Sequence, residues 1–442
     1  MKRKITADLA EWKASKDKKC LIIMGARQVG KTYIVEEFSA TYRNYLRINF
    51  ETNPKARQYF EDDLTVESII MRLSLAYPGV DLEPGSTLIF FDEIQSCPNA
   101  VVSLKSFTID GRYDVIASGS LLGLNYKKIP SYPVGYVNIM SMRSMDFEEF
   151  LWALGVKENI TDYVKKCIGE KTAIDGAILK TMDDYFRQFI LVGGMPEAVA
   201  SFIKSKNFSY VRKIHSEINR MYLADIAKYA PPAEKAKAAA CLKSIAAQLS
   251  KDNRRFRYSD VLGNKNSNAS TLGGSLAWLN DAGLTEYCYR LTEPVMPLEC
   301  NTDLEKFKIY FHDTGLLMST MAEEVGIAVI TGDASVNRGA LMENAVAEAL
   351  VKNDIPLTYF TKSNRTEIDF IIIAGGAVAA LEIKSGNNRQ AKSLHSIMSD
   401  PYHLERGIKL EITNICVDDD GIEHYPIFAA SFIRHITKKH DT

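Results

Sequence analysis

Between a short apolar run, Cys20 to Met24, and a stretch with helical spacing, Lys31 to Phe38, the chain reads Gly25-Ala26-Arg27-Gln28-Val29-Gly30-Lys31-Thr32. This is G-x4-G-K-[ST] placed between a strand and a helix, the one context in which the pattern has a chemical use. Glycines let backbone N–H groups curl around the β- and γ-phosphates of a nucleotide, and the helix that follows adds the positive end of its dipole. Lys31 brings a point charge to the phosphoryl group, and the Thr32 hydroxyl is a ligand for Mg²⁺. The expectation is ATP bound along Gly25 to Thr32 with Mg²⁺ as its cofactor. A chance glycine turn is the bland alternative. A match of this kind also demands a particular fold, a parallel α/β sheet with the loop at its carboxyl edge.

The rest of the N-terminal segment agrees. Leu88-Ile-Phe-Phe91 is continuously apolar, as expected of a parallel strand covered on both faces, and Asp92-Glu93 follows it directly. Asp92 is placed to hold Mg²⁺, and Glu93 to polarise the attacking water. Further strands are expected at Tyr45–Phe50 and Tyr113–Ala117, with a helical region from Ala56 to Leu75. After the Tyr113 strand come Ser118-Gly-Ser120, where a hydroxyl can reach the γ-phosphate or the water. Ser120 is placed slightly ahead of Ser118, and a plain serine-rich turn explains the pair equally well.

At 442 residues the chain exceeds one ordinary hydrophobic core, so two or three domains are expected. Lys plus Arg (54) nearly cancels Asp plus Glu (55), which excludes a global basic field. The seven cysteines are scattered and never spaced as CxxC, against both a disulfide framework and a structural zinc site. No signal peptide and no apolar stretch long enough for a membrane span is legible, so a reduced, cytoplasmic protein without membrane contact is expected.

Beyond Asp146 the pattern is helical to about Leu249, broken at Pro231-Pro232. Short helices at Tyr258–Leu262 and Ala269–Asp281, then a β-like run at Leu284–Tyr289, give the order of a winged helix. Lys251, Arg254, Arg255 and Arg257 precede it, and Lys265 lies in its turn. The second helix begins in polar, uncharged residues, which suits phosphate or shape contacts with DNA better than guanine readout. Leu276 and Trp278 have core spacing, and docking of a protein partner is the competing use. From Ala340 an amphipathic helix is expected to Lys352, followed by strands at Leu357–Phe360, Glu367–Ile373 and Ala377–Ile383. Glu343 on the helix, Asp369 on a strand and Glu382-Ile-Lys384 at the end of the next are the parts of a PD-(D/E)xK nuclease site. Alternation puts Glu382 and Lys384 on one face. There Asp369 and Glu382 would bind Mg²⁺ and Lys384 would orient water. A solvated surface Glu–Lys pair is the structural alternative.

On Gly25–Thr32, Phe90–Glu93, Ser118-Gly-Ser120, Phe147-Glu-Glu-Phe150, Gly193-Gly-Met-Pro-Glu197, Tyr310-Phe-His-Asp313-Thr-Gly315 and Gly339-Ala-Leu-Met-Glu343-Asn344, the chain resembles bacterial and archaeal AAA-type P-loop ATPases. The C-terminal half of those proteins is a domain of unknown function. The resemblance implies a nucleotide-binding core at 1–145, a helical lid at 146–230, a winged helix at 231–325 and a nuclease-like α/β domain at 335–435. It departs from the family at Gly135-Tyr136, where a basic residue is common. Arg143 is the only substitute in view, so no arginine finger is assigned and a homo-oligomer is a hypothesis. His312, beside Asp313, reads as half of a hydrogen-bonded structural pair. Three functions compete: an ATP-driven switch acting on DNA or a DNA-bound partner, an ATP-gated metal-dependent nuclease, and a nucleotide-dependent protein scaffold with slow hydrolysis.

Overall fold

The computed structural model describes residues 1–120, 133–251, 254–263, 267–331, 338–363, 366–384, 392–399, 402 and 404–438, apart from the side chains of residues 120, 362, 363 and 366. Lys265 therefore lies outside the described residues, as does the Ser120 side chain. The chain divides into two compact units, Lys2–Arg143 with Asp281–Gly283, and Ser144–Asn280 with Leu284–Thr442.

The first unit is a five-stranded parallel sheet: β1 (Cys20–Gly25), β2 (Asn44–Asn49), β3 (Thr87–Asp92), β4 (Asp114–Ser120) and β5 (Val137–Ser141). Their order across the sheet is β2-β3-β4-β1-β5. Every residue of β1 and β3 is buried, which is why these two strands read as unbroken apolar runs. The edge strands look different. In β5 no residue is fully buried, and in β2 only Leu46 and Ile48 are. The helical region expected from Ala56 to Leu75 is broken into a 3-10 turn, Pro54–Phe60, and a helix, Val66–Ala76. Between them Asp62 takes a left-handed backbone (φ 58°). On one face of the sheet Phe60 and Phe91 meet edge to face at 5.2 Å between ring centroids, at the centre of a core that also takes in Phe50 and Phe107.

Because all five strands run the same way, their carboxyl ends share one edge. β4 lies between the strand that feeds the glycine loop and the strand that ends in Asp92, with Gly25 opposite Ser120 and Phe91 opposite Ala117. That edge is where open parallel sheets place ligands.

The second unit opens with helices at Phe147–Ala153, Glu158–Glu170, Gly176–Val192, Pro196–Ser205, Phe208–Tyr229 and Lys235–Leu249. Two further helices, Ser259–Leu262 and Ala269–Asp281, lead into the antiparallel pair β6 (Thr285–Leu291) and β7 (Thr302–Phe311). A helix at Gly339–Lys352 precedes β8 (Thr358–Ser363), β9 (Thr366–Ile368), β10 (Phe370–Ala374) and β11 (Ala377–Lys384). After the helix Lys392–Ser399 come β12 (Arg406–Glu411), β13 (Cys416–Val417) and β14 (Glu423–Pro426). Two sheets result, β7-β6-β8-β9 and β10-β11-β12-β14-β13. The segment with winged-helix order and the C-terminal segment thus share a sheet, through parallel pairing of β6 with β8. Asp369 stands where the chain leaves the first sheet for the second, so the single strand expected over Glu367–Ile373 is two.

The helix expected to be amphipathic is buried all round, from Ala340 to Leu350. Its polar residues are spoken for: Asn344 accepts from the Phe311 N–H at 2.8 Å and donates to the Phe311 carbonyl and Thr314 Oγ1, while Glu348 accepts both the N–H and the hydroxyl of Thr314. The Gly193-Gly194 turn fits against the same place. Asp313 Oδ2 accepts from the Gly194 N–H at 2.8 Å, and a Cβ on Gly194 would sit 1.9 Å from the Met145 carbonyl. Much of the motif set that runs through the second unit is a close-packed junction. Among the described residues no helix is long and apolar enough to cross a membrane.

Candidate functional site

The glycine loop leaves β1 at Gly25 and enters the helix Lys31–Ser39. A side chain at Gly25 would place its Cβ 2.1 Å from the Met142 carbonyl, so only glycine fits the exit from the strand. Gly30, at φ 97°, makes the last bend before the helix in a conformation that L side chains rarely adopt. Gln28 is also left-handed, at φ 68°. Val29 is fully buried, and its carbonyl accepts from Arg3 Nη1 at 3.0 Å, while Nη2 of the same guanidinium donates to the Arg143 carbonyl at 2.7 Å. Arg3 thus ties the loop down from the N-terminus. Arg27 Nη2 lies 3.5 Å from Glu51 Oε2.

Lys31 is buried, and its ammonium donates to the Gly25 and Ala26 carbonyls at 2.9 and 2.8 Å, across the mouth of the loop. Burial pulls its pKa down to about 8, against the opposing pull of Glu93 and Asp92. One step along, Thr32 Oγ1 donates to the Asp92 carboxylate at 3.3 and 3.4 Å. Asp92 also collects donors from the two neighbouring strands, β2 and β4. Ser118 Oγ donates to Oδ1 at 2.5 Å, Asn49 Nδ2 to Oδ2 at 3.0 Å, and Arg47 to Oδ2 through Nη2 at 2.6 Å and Nε at 3.1 Å. Arg47 also pairs with Glu36 on the helix that follows the loop. Glu93, the next residue, takes a left-handed backbone (φ 53°), its N–H donating to Ser118 Oγ at 3.3 Å and its carboxylate accepting from Gln95. A non-glycine residue held in that region at a strand end is a common mark of a functional site.

Lys31, Thr32, Asp92, Glu93 and Ser118 are therefore brought together. Ser118 reaches Asp92. Arg47 and Asn49 escaped the sequence reading: they alternate with the buried Leu46 and Ile48 on β2, but what brings them to Asp92 is the pairing of β2 with β3.

The C-terminal acids are also near one another, in a way the sequence did not suggest. Glu343 is fully buried, and its Oε1 accepts from Lys308 Nζ at 2.9 Å and from Tyr310 Oη at 2.5 Å. Lys308 is fully buried too, and pairs with Glu367 at 2.8 Å. Arg254 contacts the other oxygen of Glu343 and comes within 3.8 Å of Asp369. Asp369 Oδ2 accepts from the Ile383 N–H at 2.8 Å. Lys384 Nζ sits 2.5 Å from Glu382 Oε1, as same-face alternation requires. Glu382 is not solvated decoration: it is 3% exposed, its Oε2 has no hydrogen-bond partner, and burial, with Asp369 adding, raises its pKa. Among the described residues no three His, Cys, Asp or Glu side chains converge closely enough to hold a metal ion. As arranged, the set Glu343, Asp369, Glu382 and Lys384 does not fit a metal, because cationic side chains stand against its acids.

Most of the basic residues before the short helices are also engaged. Lys251 pairs with Asp260 at 2.6 Å, and Arg255 donates to Thr361 Oγ1 and lies 3.9 Å from Glu367. Leu276 is fully buried, as its spacing implied. The His312 ring packs against Tyr222 at 5.7 Å between centroids.

Residues 17–151 match the family described as AAA domain. Residues 183–324 and 338–427 match two domains of unknown function, DUF8612 and DUF4143. No curated protein matches the chain. Solved structures similar to it include a Walker-type ATPase of Pyrococcus abyssi, 14% identical, covering 71% of this chain and 94% of that one at a TM-score of 0.43. The Aeropyrum pernix ORC1 protein in complex with DNA is 11% identical, covering 75% and 91% at 0.27. AMPPCP-bound DnaA from Aquifex aeolicus is 12% identical, covering 63% and 86% at 0.27. At those identities and scores the likenesses say nothing of ligand or activity. With the glycine loop, the Asp92–Glu93 strand end and the all-parallel sheet in place, residues 17–151 belong to the AAA domains of P-loop ATPases, joined here to two domains of unknown function.

Proposed function

We propose that this chain binds and hydrolyses Mg-ATP at Gly25–Thr32, and that the cycle works a switch acting on DNA or a DNA-bound partner. The observation that carries the first part is the meeting of Lys31, Thr32, Asp92, Glu93 and Ser118 at the carboxyl edge of one parallel sheet. Loop N–H groups and the start of the helix Lys31–Ser39 receive the phosphates. Lys31 turns from its own loop carbonyls to the phosphoryl oxygens, where its charge is matched. The Thr32 hydroxyl and the Asp92 carboxylate form an all-oxygen donor pair suited to a hard divalent cation. Bound there, Mg²⁺ neutralises charge on the phosphate oxygens. Glu93, held forward by its left-handed backbone, orients and polarises the water, and Ser118 fixes Asp92 beside it.

The DNA part rests on the run of short helices leading into the β6–β7 pair, an order that suits a winged helix. The test is ATP turnover with and without duplex DNA, beside Lys31→Ala. Turnover that rises with DNA and is absent from the variant supports the switch. Full turnover in the variant overturns the site, and turnover or partner capture indifferent to DNA supports a protein scaffold instead.

The alternative of metal-dependent DNA cleavage by the C-terminal domain is the weaker reading, because Lys384, Lys308 and Arg254 stand against the acids that would hold the metal. Its test is cutting of supercoiled DNA with Mg²⁺ or Mn²⁺ that vanishes in Glu382→Ala.

A further inference from the structure

At the end of β3 the chain reads Asp92-Glu93-Ile94-Gln95 and turns sharply within those four residues. Glu93 is left-handed (φ 53°), and a 3-10 turn over Ile94–Ser96 follows it. The Ser96 N–H donates to the Glu93 carbonyl at 3.0 Å, and the Cys97 N–H to the Ile94 carbonyl at 2.9 Å. Ile94 and Cys97 are buried in the core that holds Phe91 and Phe107, so the backbone is anchored on both sides of Gln95. In an α-helix, side chains two residues apart do not face each other. Here the left-handed step brings them together, and Gln95 Nε2 donates to Glu93 Oε2 at 2.5 Å.

The amide is satisfied on one side only. Gln95 Oε1 is buried and has no hydrogen-bond partner among the described residues. Turning the amide over would press its oxygen against the Glu93 carboxylate, so the donor faces the acid. A buried polar atom left without a partner is uncommon in folded chains and is retained chiefly where function requires it. What Gln95 does is therefore done by its nitrogen, and it divides the Glu93 carboxylate. Oε2 is occupied, while Oε1 takes no hydrogen bond among the described residues. The carboxylate also lies close to the loop lysine. Burial pulls the Lys31 pKa down, and of the charges opposing that pull Glu93 comes ahead of Asp92.

We propose that Gln95 is a positioning residue for ATP hydrolysis: by holding Oε2 of Glu93 it fixes the carboxylate in the rotamer that presents Oε1 to the attacking water. The inference rests on the reading of Glu93 given above and adds the group that aims it. A glutamate side chain that nothing holds has several rotamers open to it. A general base must stand within hydrogen-bond reach of the proton it takes, and a displacement of about 1 Å costs about 10²-fold in rate. Gln95 acts through Glu93, so its effect exists only while residue 93 carries the carboxylate.

The experiment measures single-turnover phosphate release and Mg-ATP affinity for the full chain as wild type, Gln95→Met, Glu93→Gln and the double variant. Methionine keeps the length of the side chain and removes the donor. The expected result is that Gln95→Met binds Mg-ATP as wild type does and releases phosphate about 10- to 100-fold more slowly. In the Glu93→Gln background the same change is expected to cost nothing further. Gln95→Glu, of the same size, sets an acceptor and a like charge against Glu93 and is expected to be at least as slow as Gln95→Met. It carries the comparison if the methionine variant does not fold. An undiminished rate in Gln95→Met beside a slow Glu93→Gln overturns the positioning role and leaves Glu93 as the base. An equal loss in both backgrounds also overturns it, because a purely structural role does not depend on Glu93. Wild-type turnover in Glu93→Gln overturns the reading of Glu93, and this inference with it.

Discussion

Replacing Lys31 by methionine separates what the loop lysine does for the fold from what it does for the nucleotide. The Lys31 ammonium is buried, and burial pulls its pKa from 10.5 to about 8. At ~1.4 kcal/mol per pH unit, that gap puts the cost of carrying the charge at neutral pH at about 3 kcal/mol. Methionine fills a similar volume without the charge. It also leaves the Gly25 and Ala26 carbonyls without their donor, a loss of about 1 kcal/mol each. The balance is about 1 kcal/mol in favour of the variant, roughly 2–4 °C in melting temperature for a domain of this size. The sign with pH follows from proton counting. Between pH 8 and 10.5 the unfolded chain holds the proton on Lys31 and the folded chain releases it, so wild-type stability climbs as pH rises through that window. The variant lacks that climb, and the two curves converge and then cross. Calorimetric melts of both proteins from pH 7 to 10, with and without Mg-ATP, read all of this. Nucleotide is expected to raise the wild-type transition and leave the variant unmoved. Parallel pH profiles, or a variant stabilised by Mg-ATP as much as wild type, would refute the reasoning.

Two further outcomes follow from the packing of the second unit. Gly194→Ala drives a Cβ into the Met145 backbone, so it is expected to cost about 3 kcal/mol or more in denaturant unfolding while leaving isolated nucleotide chemistry untouched. His215 is buried with Nε2 3.0 Å from the Val192 carbonyl, and burial lowers its pKa. The unfolded chain therefore binds the proton that the folded chain refuses, and stability is lost as pH falls below 6.5. Melts from pH 7.5 to 5 are expected to show that loss in wild type and a shallower one in His215→Gln.

The candidate site of the first unit was legible because its parts are local. Gly25–Thr32 and Leu88–Glu93 each lie in one short stretch, and β1 and β3, central strands covered on both faces, read as solid apolar runs. β5 was missed for the converse reason: at the sheet edge, Val-Asn-Ile-Met-Ser has no face wholly buried and no run to notice. Arg47 and Asn49 were missed because what they do depends on pairing across the sheet, β2 beside β3, which spacing alone does not reveal. Ser118 meets Asp92, whereas the Ser120 side chain lies outside those described. In the C-terminal domain the sequence named acids that come near one another and overlooked their partners. Lys308 and Arg254 come from 35 and 89 positions before Glu343, and nothing in a one-dimensional pattern announces such pairs. The Gly-Gly-Met-Pro turn and the Asp313 motif, which entered the sequence reading through the resemblance, meet in one tight junction in which no side chain fits at Gly194.

The central claim is that Glu93 polarises the water that attacks ATP held at Gly25–Thr32. Steady-state phosphate release, measured beside Mg-ATP binding for wild type and Glu93→Gln, tests it most directly. The account predicts that the variant binds Mg-ATP within a few-fold of wild type and releases phosphate about 10²- to 10⁴-fold more slowly. A variant that turns over ATP at the wild-type rate would contradict it.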